Sequence, residues 1–167
     1  MRAVVVFESI WGNTEQLARE VAAGIGGERT EVVDAASAPV ALDSDIDLLV
    51  VGGPTHAFSM STAATREAAR QQGAEHIPTR GIREWMEALA SPGRAVPVAT
   101  FDTRVVSPRL PGSAAKKAMK RLVALGFRPV AEPETFGVHG YSGPVADGEL
   151  ERARRWGTEL VGILPSG

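Results

Sequence analysis

The chain has 167 residues, 44% of them hydrophobic and 23% charged, a length and balance that suit one soluble domain with a continuous core. A formal net charge of −2 gives no basic footprint for nucleic acid. The absence of cysteine excludes disulfides, thiol nucleophiles, iron–sulfur clusters and cysteine-ligated zinc. The first apolar run ends at Glu8, too short for a secretory h-region, and no later stretch has the length of a bilayer span. The expectation is a cytoplasmic protein without a membrane partner.

In chain order, Ala3 to Phe7 reads as a strand buried on both faces, as in a parallel sheet. Asn13 to Ile25 places Leu17, Val21 and Ile25 on one helical face, and Gly26-Gly27 stops it. Thr30 to Asp34 makes a weak second strand. Ile46 to Gly52 makes a third, ending in Gly53-Pro54, with the solvated run Asp43, Asp45, Asp47 before and into it. The stretch from Ser61 to Ser91 exceeds one crossover helix and divides into helices near Thr62 to Gln72 and Ile82 to Leu89.

Ala95 to Thr100 is a fourth strand, where Pro97 requires a strand start or bulge. Ser113 to Leu125 is a helix with Ala115, Ala118, Met119, Leu122 and Leu125 inward and Lys116, Lys117, Lys120 and Arg121 outward, capped by Gly126. Arg128 to Val138 holds an irregular fifth strand. Asp147 then reads as the N-cap of a last helix with Leu150, Ala153, Trp156, Leu160 and Leu164 on one face. Repeated β–α alternation predicts a single α/β domain over residues 1–167, a doubly wound three-layer sandwich. Its five-stranded parallel sheet takes the order 2-1-3-4-5, with a ligand crevice at the carboxyl ends of strands one and three.

Three loops fall at those ends. In the first, Ser9-Ile10-Trp11-Gly12-Asn13-Thr14, small and hydroxyl residues let main-chain N–H groups converge on an anion at a helix N-terminus. Its other reading is a capped helix start with no ligand. It has no lysine, so it is not a Walker A loop, and the G-x-G-x-x-G pattern is missing. The second runs from Gly53 to Met60, and the third from Thr100 to Arg104, continuing to Gly112-Ser113, a weaker anion site.

The first loop resembles the flavodoxin signature that wraps the phosphate of FMN. Ser9, Gly12 and Thr14 match the pattern, whereas Trp11 stands where the archetype has a second hydroxyl. Pro54-Thr55-His56-Ala57-Phe58 resembles the second flavin loop of flavodoxins and NAD(P)H:quinone-reductase-like flavoproteins. The resemblance implies an FMN cofactor, with Phe58 stacking on or edging the ring and backbone near Thr55 to Ala57 reaching it. His56 is either a donor to flavin or substrate, or a loop residue bonded to its neighbours.

In the third loop, Thr100-Phe101-Asp102-Thr103, the resemblance implies further flavin contacts. Phe101 either stacks on the ring or points into the core. Asp102 either accepts from flavin N3 or pairs with Arg104.

Two redox roles follow. One is an electron carrier docking to a redox partner protein. The other is a small FMN-dependent reductase of a small-molecule acceptor such as a quinone, with Arg66, Arg70, His76 and Arg80 lining its site or lying on a solvated face. A flavin-free interaction module on the same fold is the third reading, and a homo-oligomer is left open.

Other classes fit poorly. A response-regulator receiver needs an acidic pair after strand one and an aspartate after strand three, where this chain has a lone Glu8 and Gly53. A hydrolase needs a nucleophile elbow, which is missing. His56, His76 and His139 have no metal-ligand spacing, and no calcium loop follows the aspartate run.

Overall fold

Short apolar strands alternating with amphipathic helices leave each strand two faces to cover, and the chain covers them with a helical layer on each side. The computed structural model describes residues 1–165. The strands are β1 (Ala3–Phe7), β2 (Thr30–Asp34), β3 (Leu48–His56), β4 (Ser59–Met60), β5 (Pro97–Val105), β6 (Arg128–Pro129) and β7 (Glu134–Val138). The helices are α1 (Asn13–Ile25), α2 (Ala63–Gln71), α3 (Ile82–Ala88), α4 (Ala114–Leu125) and α5 (Glu149–Ile163). The main path through the sheet is β2-β1-β3-β5-β6, all parallel, with β7 also on β5 and β4 antiparallel on β3. This is the doubly wound order expected, with the fifth strand broken into β6 and β7 and one short hairpin strand added.

Alternation along the strands sorts the residues between two cores. Ala3, Val5 and Phe7, then Leu48 and Val50, then Ala99 and Phe101, face α1 and α5. Val4 and Val6, Leu49 and Val51, and Val98 face α3 and α4. Phe101, Phe136 and Trp156 meet edge to face, their ring centroids 5.9–6.1 Å apart. Two helical glycines let α1 and α5 approach closely. A Cβ on Gly24 would lie 1.9 Å from the carbonyl oxygen of Arg154, and one on Gly157 would lie 2.2 Å from that of Val21.

Both central strands run past the apolar stretches that mark them in the sequence. The expected third strand ended at Gly52 and the fourth at Thr100, yet β3 continues to His56 and β5 to Val105. Gly52, Gly53 and Pro54 are in register with Phe101, Asp102 and Thr103, and β7 pairs with β5 from Phe101 to Val105. Hydrogen bonding on both sides therefore carries polar residues into strand conformation. Pro97 is the first residue of β5, where its missing N–H costs no ladder bond. The last helix is capped by Gly148 in the left-handed region rather than by Asp147, and it ends at Ile163, one residue before Leu164. Among the described residues, no helix is long and apolar enough to cross a membrane.

Candidate functional site

The carboxyl ends of β1, β3 and β5 open on a trough with two parts. The narrow part, a cavity of about 50 Å³, is lined by Ser9, Trp11, Asn13 and Thr14 from the first loop, with Pro54 and Thr103 opposite. The wide part, about 270 Å³, is walled by Phe58 and Ala57 on one side, by Thr65, Ala68 and Ala69 of α2 with Gln72 just past its end, and by the loop carrying Pro108, Leu110 and Pro111. Trp11, Thr55, His56, Val105 and Tyr141 line both parts, so the two are continuous.

At the narrow end the chain turns into α1 through Gly12, whose φ of +92° lies in the left-handed region that glycine adopts without strain. No side chain caps α1, so its first-turn N–H groups are left for an external acceptor. Within the loop the Gly12 N–H donates to Ser9 Oγ at 3.2 Å. Thr14 Oγ1 and Thr103 Oγ1 lie 3.1 Å apart, and since one hydroxyl can donate to the other, one O–H remains free. Asn13 is covered by the loop after β7. A Cβ on Gly143 would fall 2.3 Å from Asn13 Oδ1, so only glycine admits this approach. Ile10 is buried against Ala69 and Ala74 and anchors the loop to the region around α2.

At the wide end β3 and β4 form a hairpin turning on Ala57 and Phe58, both at positive φ (45° and 70°). Two positive φ values match the primed turns that suit a two-residue hairpin, at a conformational cost for residues other than glycine. The turn leaves Phe58 half exposed at the rim. Thr55 Oγ1 accepts from the N–H of Ala114, tying the hairpin to the start of α4. His56 Nδ1 lies 3.1 Å from Thr65 Oγ1, which can also donate to the carbonyl of Thr62. The Thr65 hydroxyl can serve either tautomer of the ring, and Nε2 takes the role that Nδ1 does not. Burial, and secondarily Arg66, holds the His56 pKa below its ordinary value, so the ring is neutral.

Three residues of the expected third flavin loop lie inside the protein instead. Phe101 has no exposed surface, and its ring fills the space where a Cβ on Gly52 would sit. Thr100 Oγ1 donates to the carbonyl of Ala115. Asp102 is fully buried and neither meets a ring nor pairs with Arg104. Its Oδ2 accepts from Ser113 Oγ at 2.6 Å and from the Ala115 N–H at 3.0 Å, fixing the start of α4. The reason is strand alternation: Thr100 and Asp102 face α4, Phe101 faces α5, and only Thr103 reaches the trough.

Glu8 obeys the same alternation. It follows Val6 onto the α3 side, where Oε1 accepts from the Ile82 N–H at 2.9 Å and Oε2 accepts from Ser61 Oγ. Like Asp102, it caps a helix from the end of a strand, and it does not line the narrow end of the trough. Burial pushes its carboxyl above the usual range, partly offset by those hydrogen bonds and by Arg66.

Arg66, Arg70, His76 and Arg80 do not line the trough. Arg66 is buried, donating to Ser61 Oγ at 2.9 Å and to Glu84; Arg70 holds Glu67; Arg80 donates to the carbonyls of Ala35 and Ala38; His76 is exposed. The residue that the sequence reading missed is Tyr141, exposed and lining both parts of the trough. It is the only tyrosine of the chain and stands in Gly140-Tyr141-Ser142-Gly143, which was the available signal.

An uncapped helix start behind a left-handed glycine, beside a hydroxyl pair, fits a phosphoryl group. An adjoining trough edged by Trp11, Phe58 and Tyr141 fits a planar ring, so the residues present suit FMN.

No family model matches the sequence, and no curated protein matches it significantly. Solved structures do. A flavodoxin 1 from Bacillus cereus is 20% identical with a TM-score of 0.71, aligned over 99% of this chain and 100% of that one. A flavodoxin from the domain Archaea is 18% identical, with a TM-score of 0.66 over 97% of each chain. A WrbA-like flavodoxin protein from Agrobacterium tumefaciens is 15% identical, with a TM-score of 0.58 over 97% of this chain and 96% of that one. Likeness over nearly the whole length at such low identity establishes architecture, and this chain has the flavodoxin fold.

Proposed function

We propose that the chain binds FMN in the trough and acts in electron transfer. The observation that carries this reading is the continuity of the two parts: an anion-ready helix start opens directly into a ring-sized space through the shared residues Trp11, Thr55, His56, Val105 and Tyr141. The flavodoxins it resembles in fold support the same cofactor. Bound there, FMN supplies redox chemistry that the protein positions and tunes. The first-turn N–H groups of α1, with the Ser9, Thr14 and Thr103 hydroxyls, would hold the phosphate. Trp11, Phe58 and Tyr141 would flank the ring, and the neutral His56 would present Nε2 to it.

The test is an FMN titration followed by flavin fluorescence and visible absorbance. Saturable one-to-one binding is expected, and no binding at high FMN would leave the flavin-free module in its place. Thr14→Ala should weaken binding about ten- to a hundredfold while the fold survives, since a hydrogen bond to a charged group contributes about 1.5–3 kcal/mol. An unchanged affinity would remove Thr14 from the phosphate end. Phe58→Ala touches no core and should alter the flavin absorption envelope and weaken binding about two- to tenfold. A spectrum identical to the parent's would take Phe58 off the ring. Direct NAD(P)H oxidation with a quinone acceptor would favour the reductase, and its absence the carrier.

A further inference from the structure

The charges of this chain are segregated. From Arg104 to Ala131 there are seven Lys and Arg (Arg104, Arg109, Lys116, Lys117, Lys120, Arg121, Arg128) and no Asp or Glu. The remaining residues hold all 20 acids and 11 of the 18 cations. A net charge of −2 therefore conceals a positive segment on a negative body. Cations elsewhere are mostly occupied: Arg2, Arg19, Arg29, Arg66, Arg70, Arg152 and Arg154 each pair with a carboxylate. Among the described residues, no ion pair is formed by Arg109, Lys116, Lys117, Lys120 or Arg121, all exposed.

Helix stability does not account for this placement. The first turns of α1, α3 and α5 carry acids, as the helix dipole favours, whereas those of α2 and α4 carry none, and α4 has Lys116 and Lys117 there. Ser113 caps α4 by accepting from the Lys116 N–H, so Lys116 stands at the position where a capping box takes Glu or Gln. The segment also adjoins the trough. Gly112 packs against the Phe58 backbone, Ala114 bonds to Thr55, and Arg104, Leu110 and Pro111 are trough walls. Phe58, Val106, Leu110 and Tyr141 are exposed apolar residues beside these cations.

We infer that Arg104 at the end of β5, the loop from Val106 to Gly112 and the first two turns of α4 form a docking face for a partner protein with an acidic surface. An apolar centre at the trough mouth beside a cationic margin is the composition of a transient protein interface, where charge steers the encounter and apolar contact holds it. A small anion would not need cations spread over a loop and two helical turns. The inference rests on the proposed redox role only for what passes across the face, since docking itself needs no flavin.

The probe is poly-L-glutamate, titrated into the flavin-free protein at low salt and again at about 0.15 M. Saturable binding that weakens with salt is expected. The triple variant Lys116→Glu, Lys117→Glu, Lys120→Glu should lose it by at least about tenfold, and it should fold well, because Glu at 116 completes the capping box. Arg155→Glu, which reverses an exposed cation outside the segment, should bind as the parent does. Binding retained by the triple variant, or lost equally by Arg155→Glu, overturns the face. An oligothymidylate that binds more tightly than poly-L-glutamate at equal charge overturns the protein partner.

With FMN bound, electrons should pass faster to an acidic acceptor protein than to basic cytochrome c at low salt, and added salt should narrow the difference. A preference for cytochrome c overturns the inference. If FMN does not bind but poly-L-glutamate does, the redox reading fails and the face stands; the reverse pattern removes the face alone.

Discussion

Arg66→Met should destabilise the protein by about 3 kcal/mol, read from urea unfolding. Arg66 is 3% exposed and joins Ser61, Glu84 and Glu8 beneath the trough. Removing one partner of a buried ion pair leaves the other charge uncompensated, which costs about 3–5 kcal/mol. The lower end applies because Glu84 is 32% exposed and can turn to water. Leucine-like burial of the new side chain does not offset this, because Glu8 remains sealed against Ile82. Adding Glu8→Gln should restore part of the loss. The amide oxygen can still accept from the Ile82 N–H, and the buried charge is gone.

The deficit should also depend on pH. Glu8 has its carboxyl pKa raised in the folded state, so the folded protein holds more protons than the unfolded one above the ordinary value of 4.5. Stability falls as pH rises through that window. Arg66 limits the rise, so its loss should extend the window upward. His56 acts in the same direction: Arg66 helps lower its pKa, and without Arg66 the neutral ring is less favoured at acid pH. The gap between parent and variant should therefore be wider at pH 8 than at pH 5. A gap that narrows with rising pH would show that Arg66 does not compensate Glu8.

The cluster also shows where sequence reading stops. The apolar runs of β1 and β3 and the spacing of Leu17, Val21 and Ile25 made the doubly wound order legible, because burial on a sheet or along a helix leaves a period in the chain. The first loop was legible as a turn into a helix, because a glycine and hydroxyls before an amphipathic run mark a helix start, with or without a ligand. Strand ends were not. Thr55, His56, Asp102 and Thr103 are polar, and only pairing with neighbours distant in sequence places them in strands. Once the register is known, alternation decides that Thr103 faces the trough and Asp102 a helix, but the register itself is a tertiary fact. Tyr141 reaches the site because the loop after β7 folds over Asn13, which no local pattern announces. From the sequence Arg66 was either a residue of a substrate site or a cation on a solvated face, and it is neither. Its burial with Ala69, one turn on, becomes visible only when α2 is set against the end of β1.

Gly24→Ala should cost about 3 kcal/mol or more, although alanine is the better helix former by about 1 kcal/mol. Propensity and packing oppose one another here, and distance decides. The added methyl would sit 1.9 Å from the Arg154 carbonyl oxygen and 2.8 Å from its carbon. Those are backbone atoms of α5, held in the helix, so no rotamer can yield, and α1 and α5 must separate. Overpacking costs about 1–3 kcal/mol where side chains can adjust, and more is expected where they cannot.

Gly162→Ala supplies the contrast. It lies in the same α5, with nothing within 4 Å of the added atom, and should be neutral or stabilising by about 0.5 kcal/mol. The consequence reaches the site, because α1 begins at Asn13, just after Gly12, and its first turn forms the narrow end of the trough. A helix levered away from α5 at Gly24 cannot keep Thr14 opposite Thr103. Gly24→Ala should therefore weaken FMN binding as well as stability, with Gly162→Ala leaving both intact. Equal unfolding midpoints for the two variants would mean that the helices do not meet through their glycines.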